Sequence, residues 1–168
     1  QHQGFFFDMN TRVAIQGIKG SFHDEVAQQY FGNQVEILAC DSFDQLVQSI
    51  VYNNCRQAVM AIENSIAGSI LPNYGLLDQY GLSIVGEHSL SISHNLMAMP
   101  GQSISDIQEV HSHPMALLQC KQFFHAYPDI KLVESSDTAA VAKEISDNNQ
   151  IGKGAIASQL AADLYGLQ

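Results

Sequence analysis

Strand-like and helix-like segments alternate along this chain, and that alternation limits the possible folds more than any other feature. Arg12-Val13-Ala14-Ile15-Gln16 reads as a strand and gives way at Gly17-Ile18-Lys19-Gly20. Ser21-Phe22-His23-Asp24 follows, a hydroxyl with an acid three positions later, which fits a capping box. Phe22, Val26 and Tyr30 then recur at helical spacing. Val35-Glu36-Ile37-Leu38-Ala39 is a second strand, and Ser42 with Gln45 signals a second helix start. In that helix Phe43, Leu46, Val47, Ile50 and Val51 make one apolar stripe, the clearest in the chain. Ala58-Val59-Met60-Ala61-Ile62 reads as a buried strand, with a helix from about Ile70 to Tyr80 beyond it. Strands separated by helices need crossover connections, so the expected class is α/β with mostly parallel sheets and flanking helices.

From Leu82 the texture changes. Leu90, Ile92 and His94 alternate with Ser89, Ser91 and Ser93, which predicts a long strand near 84–99, extended enough to cross between two lobes. A Gly/Ser-rich loop runs from Pro100 to Ser105, and Gln108-Glu109-Val110 is a short strand. His113 to His125 reads as a helix with Ala116, Cys120, Phe123, Phe124 and Tyr127 on its apolar side. Lys131–Glu134 is a strand, Ser136-Asp137 caps a helix through Val141 and Ile145, and Gly154–Ser158 is a final strand. The last helix ends near Tyr165 with Gly166 as its C-cap.

Charge and cysteine content narrow the function. Seven Lys and Arg against 17 Asp and Glu leave a formal net charge of -10, a poor surface for nucleic acid or an anionic membrane. No apolar run approaches the length of a membrane span. Cys40, Cys55 and Cys120 are odd in number and widely spaced, which argues against a disulfide framework or a zinc site and fits a reducing, cytoplasmic setting. None of the seven histidines shows metal-ligand spacing with another, and there is no G-x-x-x-x-G-K-[ST] phosphate loop. Gln1 to Asp8 reads as a cloning leader, with Met9 as the native start.

The polar run Glu63-Asn64-Ser65-Ile66-Ala67-Gly68-Ser69 follows the apolar strand directly, and strand carboxyl ends are where α/β sheets bind ligands. Gly20-Ser21, Asn64-Ser65, Ser112-His113 and Asp137-Thr138 share one construction: a strand ends, a hydroxyl follows, a helix begins. Taken singly each is an N-cap. Converging, such helix starts would hold a dianion in a protein with few cations. Gln119 lies seven residues beyond Ser112, on the same helical face and roughly 10 Å along the axis, so the pair is placed to touch two ends of one small ligand. His113 reads as a structural turn residue rather than a catalytic base, and Cys120 as core packing.

Taken in order, these motifs resemble the catalytic domain of the prephenate dehydratase family over about Arg12 to Leu167. The match includes Val13-Ala14-Ile15-Gln16-Gly17 with Gly20-Ser21-Phe22, then Glu63-Asn64-Ser65 with Gly68-Ser69 and Asn73-Tyr74. It continues through Ser112-His113-Pro114 with Ala116-Leu117 and Gln119-Cys120, then Asp137-Thr138-Ala139-Ala140. Ala155-Ile156-Ala157-Ser158 with Ala161-Ala162 and Leu164-Tyr165-Gly166-Leu167 completes it.

The resemblance implies a two-lobed fold like the type II periplasmic binding proteins. Lobe 1 is expected at 9–88 with a C-terminal return at about 155–168, and lobe 2 at 89–154. It implies conversion of prephenate to phenylpyruvate in the cytoplasm, with no cofactor and no metal, in a homo-oligomer (dimer or tetramer). Asn64, Ser112 and Gln119 are the expected substrate-binding residues, with Ser65, Ser21 and Thr138 beside them. The family's catalytic Thr-Arg-Phe tripeptide follows the Leu-Tyr-Gly-Leu segment, so the catalytic Thr is expected beyond Gln168; Thr11-Arg12 begins the first strand and is not that motif. A tail not included here, a truncated form and a protein that has lost the chemistry all fit this, and the intact substrate motifs favour the first two. Phenylalanine would be an effector only if a regulatory ACT domain exists in the full-length protein. Arogenate dehydratase, or a non-catalytic module that binds small carboxylates, are the alternatives.

Overall fold

The computed structural model describes residues 12–168. The proposed leader and the start at Met9 lie outside the described residues. The chain divides into two compact units: one holds the chain to Gly17 and Val26–Ser89, the other Ile18–Glu25 and Leu90–Gln168.

In the first unit, β1 (Arg12–Gln16) is the middle strand of a three-stranded parallel sheet, between β2 (Glu36–Cys40) and β3 (Gln57–Val59). Side chains alternate across a strand, so β1 serves two cores. Val13 and Ile15 pack with Ala27 and Phe31 of α1 (Phe22–Phe31). Ala14 packs on the opposite face with Leu46 and Val47 of α2 (Phe43–Val51). The Ser42 hydroxyl accepts from the Gln45 backbone N–H at 3.1 Å, as its sequence signal requires. β3 is shorter than expected and half-buried, because it is an edge strand with one neighbour. A small antiparallel hairpin of β4 (Glu63–Asn64) and β5 (Gly68–Ser69) comes next, and then α3 (Leu71–Gln79).

The second unit holds a four-stranded sheet in the order β6 (Asn95–Met97), β9 (Lys153–Ala157), β7 (Glu109–Ser112), β8 (Lys131–Glu134). β7 runs parallel to both its neighbours, and β6 is antiparallel to β9. Ala155 and Ala157 of β9 face α5 (Thr138–Asp147) and α6 (Gln159–Tyr165). Ile156, between them, faces α4 (Pro114–Phe124). Gly166 ends α6 in the left-handed region at φ 65°, the conformation glycine reaches without strain.

Three expectations are corrected here. The segment at 155–168 does not return to the first lobe: β9 is an inner strand of the second unit's sheet, where its alternating small and large apolar residues are buried on both faces. The loop and first helical turn at 18–25 group with the second unit, because Tyr165 and Ser158 hold the carbonyls of Lys19 and Gly20. The long strand at 84–99 is a strand only over Asn95–Met97, the three residues that β9 pairs. Serine alternation without a partner strand gives extended chain, not a ladder.

Candidate functional site

The expected site residues fall in both units, Asn64 and Ser65 in the first and Ser21, Ser112, Gln119 and Thr138 in the second. In the first unit, Asn64 does not start a helix. Its Oδ1 accepts from the backbone N–H groups of Ile66 (2.9 Å) and Ala67 (3.2 Å), an Asx turn that closes the β4–β5 hairpin. The Asn64 side-chain NH2 takes no part in that turn, and Ser65 is exposed at its tip. The base of the hairpin is clamped twice. Ile70 N–H donates to the Ile62 carbonyl at 2.8 Å, and the buried Asn73 of α3 donates through Nδ2 to the Ala61 carbonyl at 2.7 Å. Asn73 was visible in the sequence only as part of Asn73-Tyr74, with no role attached. A buried amide on a short helix after a turn is the signal for such a clamp.

In the second unit, Ser21 supplies the hydroxyl half of the expected capping box. The Asp24 carboxylate reaches one residue further back, to Gly20, because Ser21 N–H is taken by the Ile18 carbonyl. Ser21 Oγ accepts from Asp24 N–H at 3.2 Å, and Asp24 Oδ2 accepts from Gly20 N–H at 2.8 Å. This helix start is docked on α6. Ser158 Oγ donates to the Gly20 carbonyl at 2.6 Å and accepts from Ala161 N–H at 3.0 Å, and the Tyr165 hydroxyl donates to the Lys19 carbonyl. A side chain at Gly20 would meet Ala161 backbone at 3.1 Å, so glycine is needed for this close approach. Ser158 also has the strand–hydroxyl–helix construction, which the apolar run Gly154–Ser158 hides in the sequence.

Thr138 is half-buried at the first position of α5, and the cap itself is Asp137. Asp137 Oδ1 accepts from Ala139 N–H (2.9 Å) and Ala140 N–H (3.1 Å). The starts of α1 and α5 are electrostatic neighbours. Burial lowers the pKa of His23, and the Asp137 carboxylate opposes that shift. Burial raises the pKa of Tyr165, and Asp137 and Asp24 raise it further. His23 and Tyr165 thus share Asp137 as an electrostatic partner within this unit.

Ser112 departs from expectation. It is the last residue of β7, fully buried, and its Oγ donates to the Ile156 carbonyl at 2.7 Å. Its hydroxyl is committed to the sheet and has no surface open to a ligand. The next residue caps the helix instead: His113 Nδ1 accepts from Met115 N–H at 3.2 Å. Ser112 and Gln119 therefore do not form a pair on one open face. Gln119 is exposed on α4, and its Oε1 lies 2.6 Å from Nε2 of His94. No sequence signal pointed to His94, which lies 25 positions away from Gln119. Among the described residues no group of three or more His, Cys, Asp or Glu is placed to hold a metal ion. The helix-start N–H groups named above are taken by their own caps, so the group this unit leaves exposed is the Gln119 carboxamide, suited to carboxylate, carbonyl or hydroxyl oxygens.

The sequence profile of the prephenate dehydratase family matches residues 13–168. Arogenate dehydratase/prephenate dehydratase 2, chloroplastic, of Arabidopsis thaliana is 39% identical over 159 residues, covering 94% of this chain and 41% of that protein. Arogenate dehydratase 2 of Petunia hybrida is 40% identical over 158 residues, covering 93% and 39%. Among solved structures, one described as GqqA, a novel type of quorum quenching acylase, superposes with a TM-score of 0.82 at 32% identity, covering 94% of this chain and 57% of that one. Prephenate dehydratase of Arthrobacter aurescens in complex with L-Phe gives a TM-score of 0.82 at 25% identity, covering 94% and 53%. The chain spans about two fifths of the length of these curated relatives. With its profile matched from the first strand to the last residue, the chain belongs to the prephenate dehydratase family.

Proposed function

We propose that the protein containing this chain is a prephenate dehydratase, which converts prephenate to phenylpyruvate on the way to phenylalanine. The observation that carries this reading is the family match across residues 13–168, which takes in the Asn64 turn, the Gln119 carboxamide and the two capped helix starts. In the reaction the bond from the ring to its carboxylate breaks and releases carbon dioxide. That electron pair completes the aromatic ring as the ring hydroxyl leaves, and a proton delivered to the hydroxyl makes it water. Aromatisation supplies much of the driving force. The protein's task is to orient a dianion and to protonate the leaving group.

In this reading the side-chain NH2 groups of Asn64 and Gln119 donate to substrate oxygens, with Ser65 beside Asn64. Ser21 and Thr138 offer hydroxyl groups to the substrate's oxygens. Ser112 contributes by holding the end of β7 and the entry to α4. The proton donor is the Thr expected beyond Gln168. The two-lobed arrangement of the type II binding proteins, a homodimer or homotetramer, and regulation by phenylalanine through an ACT domain in a longer chain remain parts of the proposal. A cytoplasmic location accords with three free cysteines; the Arabidopsis relative is chloroplastic by name. The net charge of -10 favours a small-molecule partner over nucleic acid or membrane.

Arogenate dehydratase is the second reading, favoured by the names of the plant relatives. Assay of the full-length gene product separates the readings. Phenylpyruvate from prephenate supports the first, and phenylalanine from arogenate alone supports the second. No turnover of either, with binding of a small carboxylate, supports a non-catalytic module. Acylase activity in their place, the activity named in the description of the 32% identical neighbour, contradicts both dehydratase readings.

A further inference from the structure

We infer that His94 is a positioning residue, which pins the carbonyl oxygen of Gln119 and so makes Gln119 a hydrogen-bond donor toward whatever binds against α4. This rests on reading Gln119 as a substrate contact. The two ends of a carboxamide are nearly the same shape, so an unrestrained Gln offers a ligand either an acceptor or a donor pair. Here one end is taken: Gln119 Oε1 lies 2.6 Å from His94 Nε2.

His94 is held on its other sides. Phe22, the first residue of α1, meets its ring edge to face, with centroids 5.9 Å apart and planes at 80°. The next residue, Asn95, enters the β6 ladder. His94 Nδ1 is buried and has no hydrogen-bond partner among the described residues. That orphan atom decides the tautomer. A hydrogen on Nδ1 would be an unpaired buried donor, and such donors are rarer in proteins than under-satisfied acceptors. Placing the hydrogen on Nε2 leaves only a bare lone pair at Nδ1 and gives Gln119 Oε1 its donor. The NH2 group of Gln119 is then the end offered to solvent or ligand. It suits carboxylate, carbonyl or hydroxyl oxygens and disfavours an ammonium group.

The test uses the full-length gene product with His94→Leu, His94→Gln, Gln119→Ala and the His94→Leu/Gln119→Ala double variant. His94→Leu is expected to lower kcat/KM about tenfold, mainly through KM, since a misoriented Gln119 weakens ground-state contacts. His94→Gln, whose own NH2 group reaches the same oxygen, is expected to recover most of that loss. The double variant is expected to be no worse than Gln119→Ala, because the two residues act as one unit. A second readout needs no activity. Nitrogen-15 NMR of His94 should show the Nε2–H tautomer in the wild type, and that bias should fade in Gln119→Ala. An Nδ1–H tautomer, additive losses in the double variant, or full activity in His94→Leu while Gln119→Ala is impaired would overturn the inference. An unimpaired Gln119→Ala enzyme would instead remove the substrate role of Gln119, while the tautomer still reports on His94.

Discussion

The two units fix their polar residues by different means. In the first unit, Asn64 and Ser65 sit on a hairpin of two-residue strands, and the asparagine builds the turn with its own side chain. In the second unit the corresponding groups hang from a buried four-stranded sheet, and Ser112 and Ser158 spend their hydroxyls on backbone carbonyls of the core. The same residue type therefore means different things in the two places. A serine at a hairpin tip is available to a ligand and contributes little to stability. A serine at the end of a core strand is structural first.

The sharpest test of this contrast is Ser158→Ala, which removes both the α6 cap and the bond that docks the Gly20 loop. It should lower unfolding free energy by about 2–3 kcal/mol, with denaturant titration as the measure. Ser112→Ala leaves the Ile156 carbonyl without that donor and should cost about 1–2 kcal/mol. If Ser112→Ala instead folded at full stability while losing substrate affinity, the structural assignment would fail. Asp137→Ala removes the α5 cap and should cost about 1 kcal/mol. His23 adds a pH dependence confined to the second unit. Burial lowers its pKa, so the folded chain holds fewer protons there than the unfolded chain. Stability is then full above the ordinary imidazole value of 6.5 and falls as pH drops through it toward the lowered folded value. His23→Gln should flatten that acid-side slope in thermal melts between about pH 7 and 5. Ser65→Ala, at the exposed hairpin tip, should change stability by no more than about 0.5 kcal/mol.

What could be read from the sequence was whatever is local and repeated. The α2 stripe with its Ser42 cap, the β1 run and the Gly166 stop each carry their reason within a few residues, and the structure has all three, with only Val51 at the end of the stripe left exposed. Pairing was not legible, because a strand's neighbours are set by distant segments. Nothing in Gly154–Ser158 says that it lies between β6 and β7. The serine alternation before Asn95 looks like a strand until one asks what pairs with it. At the site, the helix starts were visible as hydroxyls and acids. The direction of the Ser112 side chain and the bond between His94 and Gln119 were not, since both depend on which face of a strand or helix meets a remote partner.

The central claim, that Gln119 and Asn64 hold prephenate for a dehydratase, is tested most directly by steady-state kinetics of the full-length gene product on prephenate. The account predicts phenylpyruvate formation by the wild type. It also predicts a fall of about tenfold or more in kcat/KM for both Asn64→Ala and Gln119→Ala. Stability should stay close to wild type for Gln119→Ala and fall by about 1 kcal/mol for Asn64→Ala, which loses its turn bonds. An unaltered kcat/KM in both variants, or no turnover by the wild type, would contradict it.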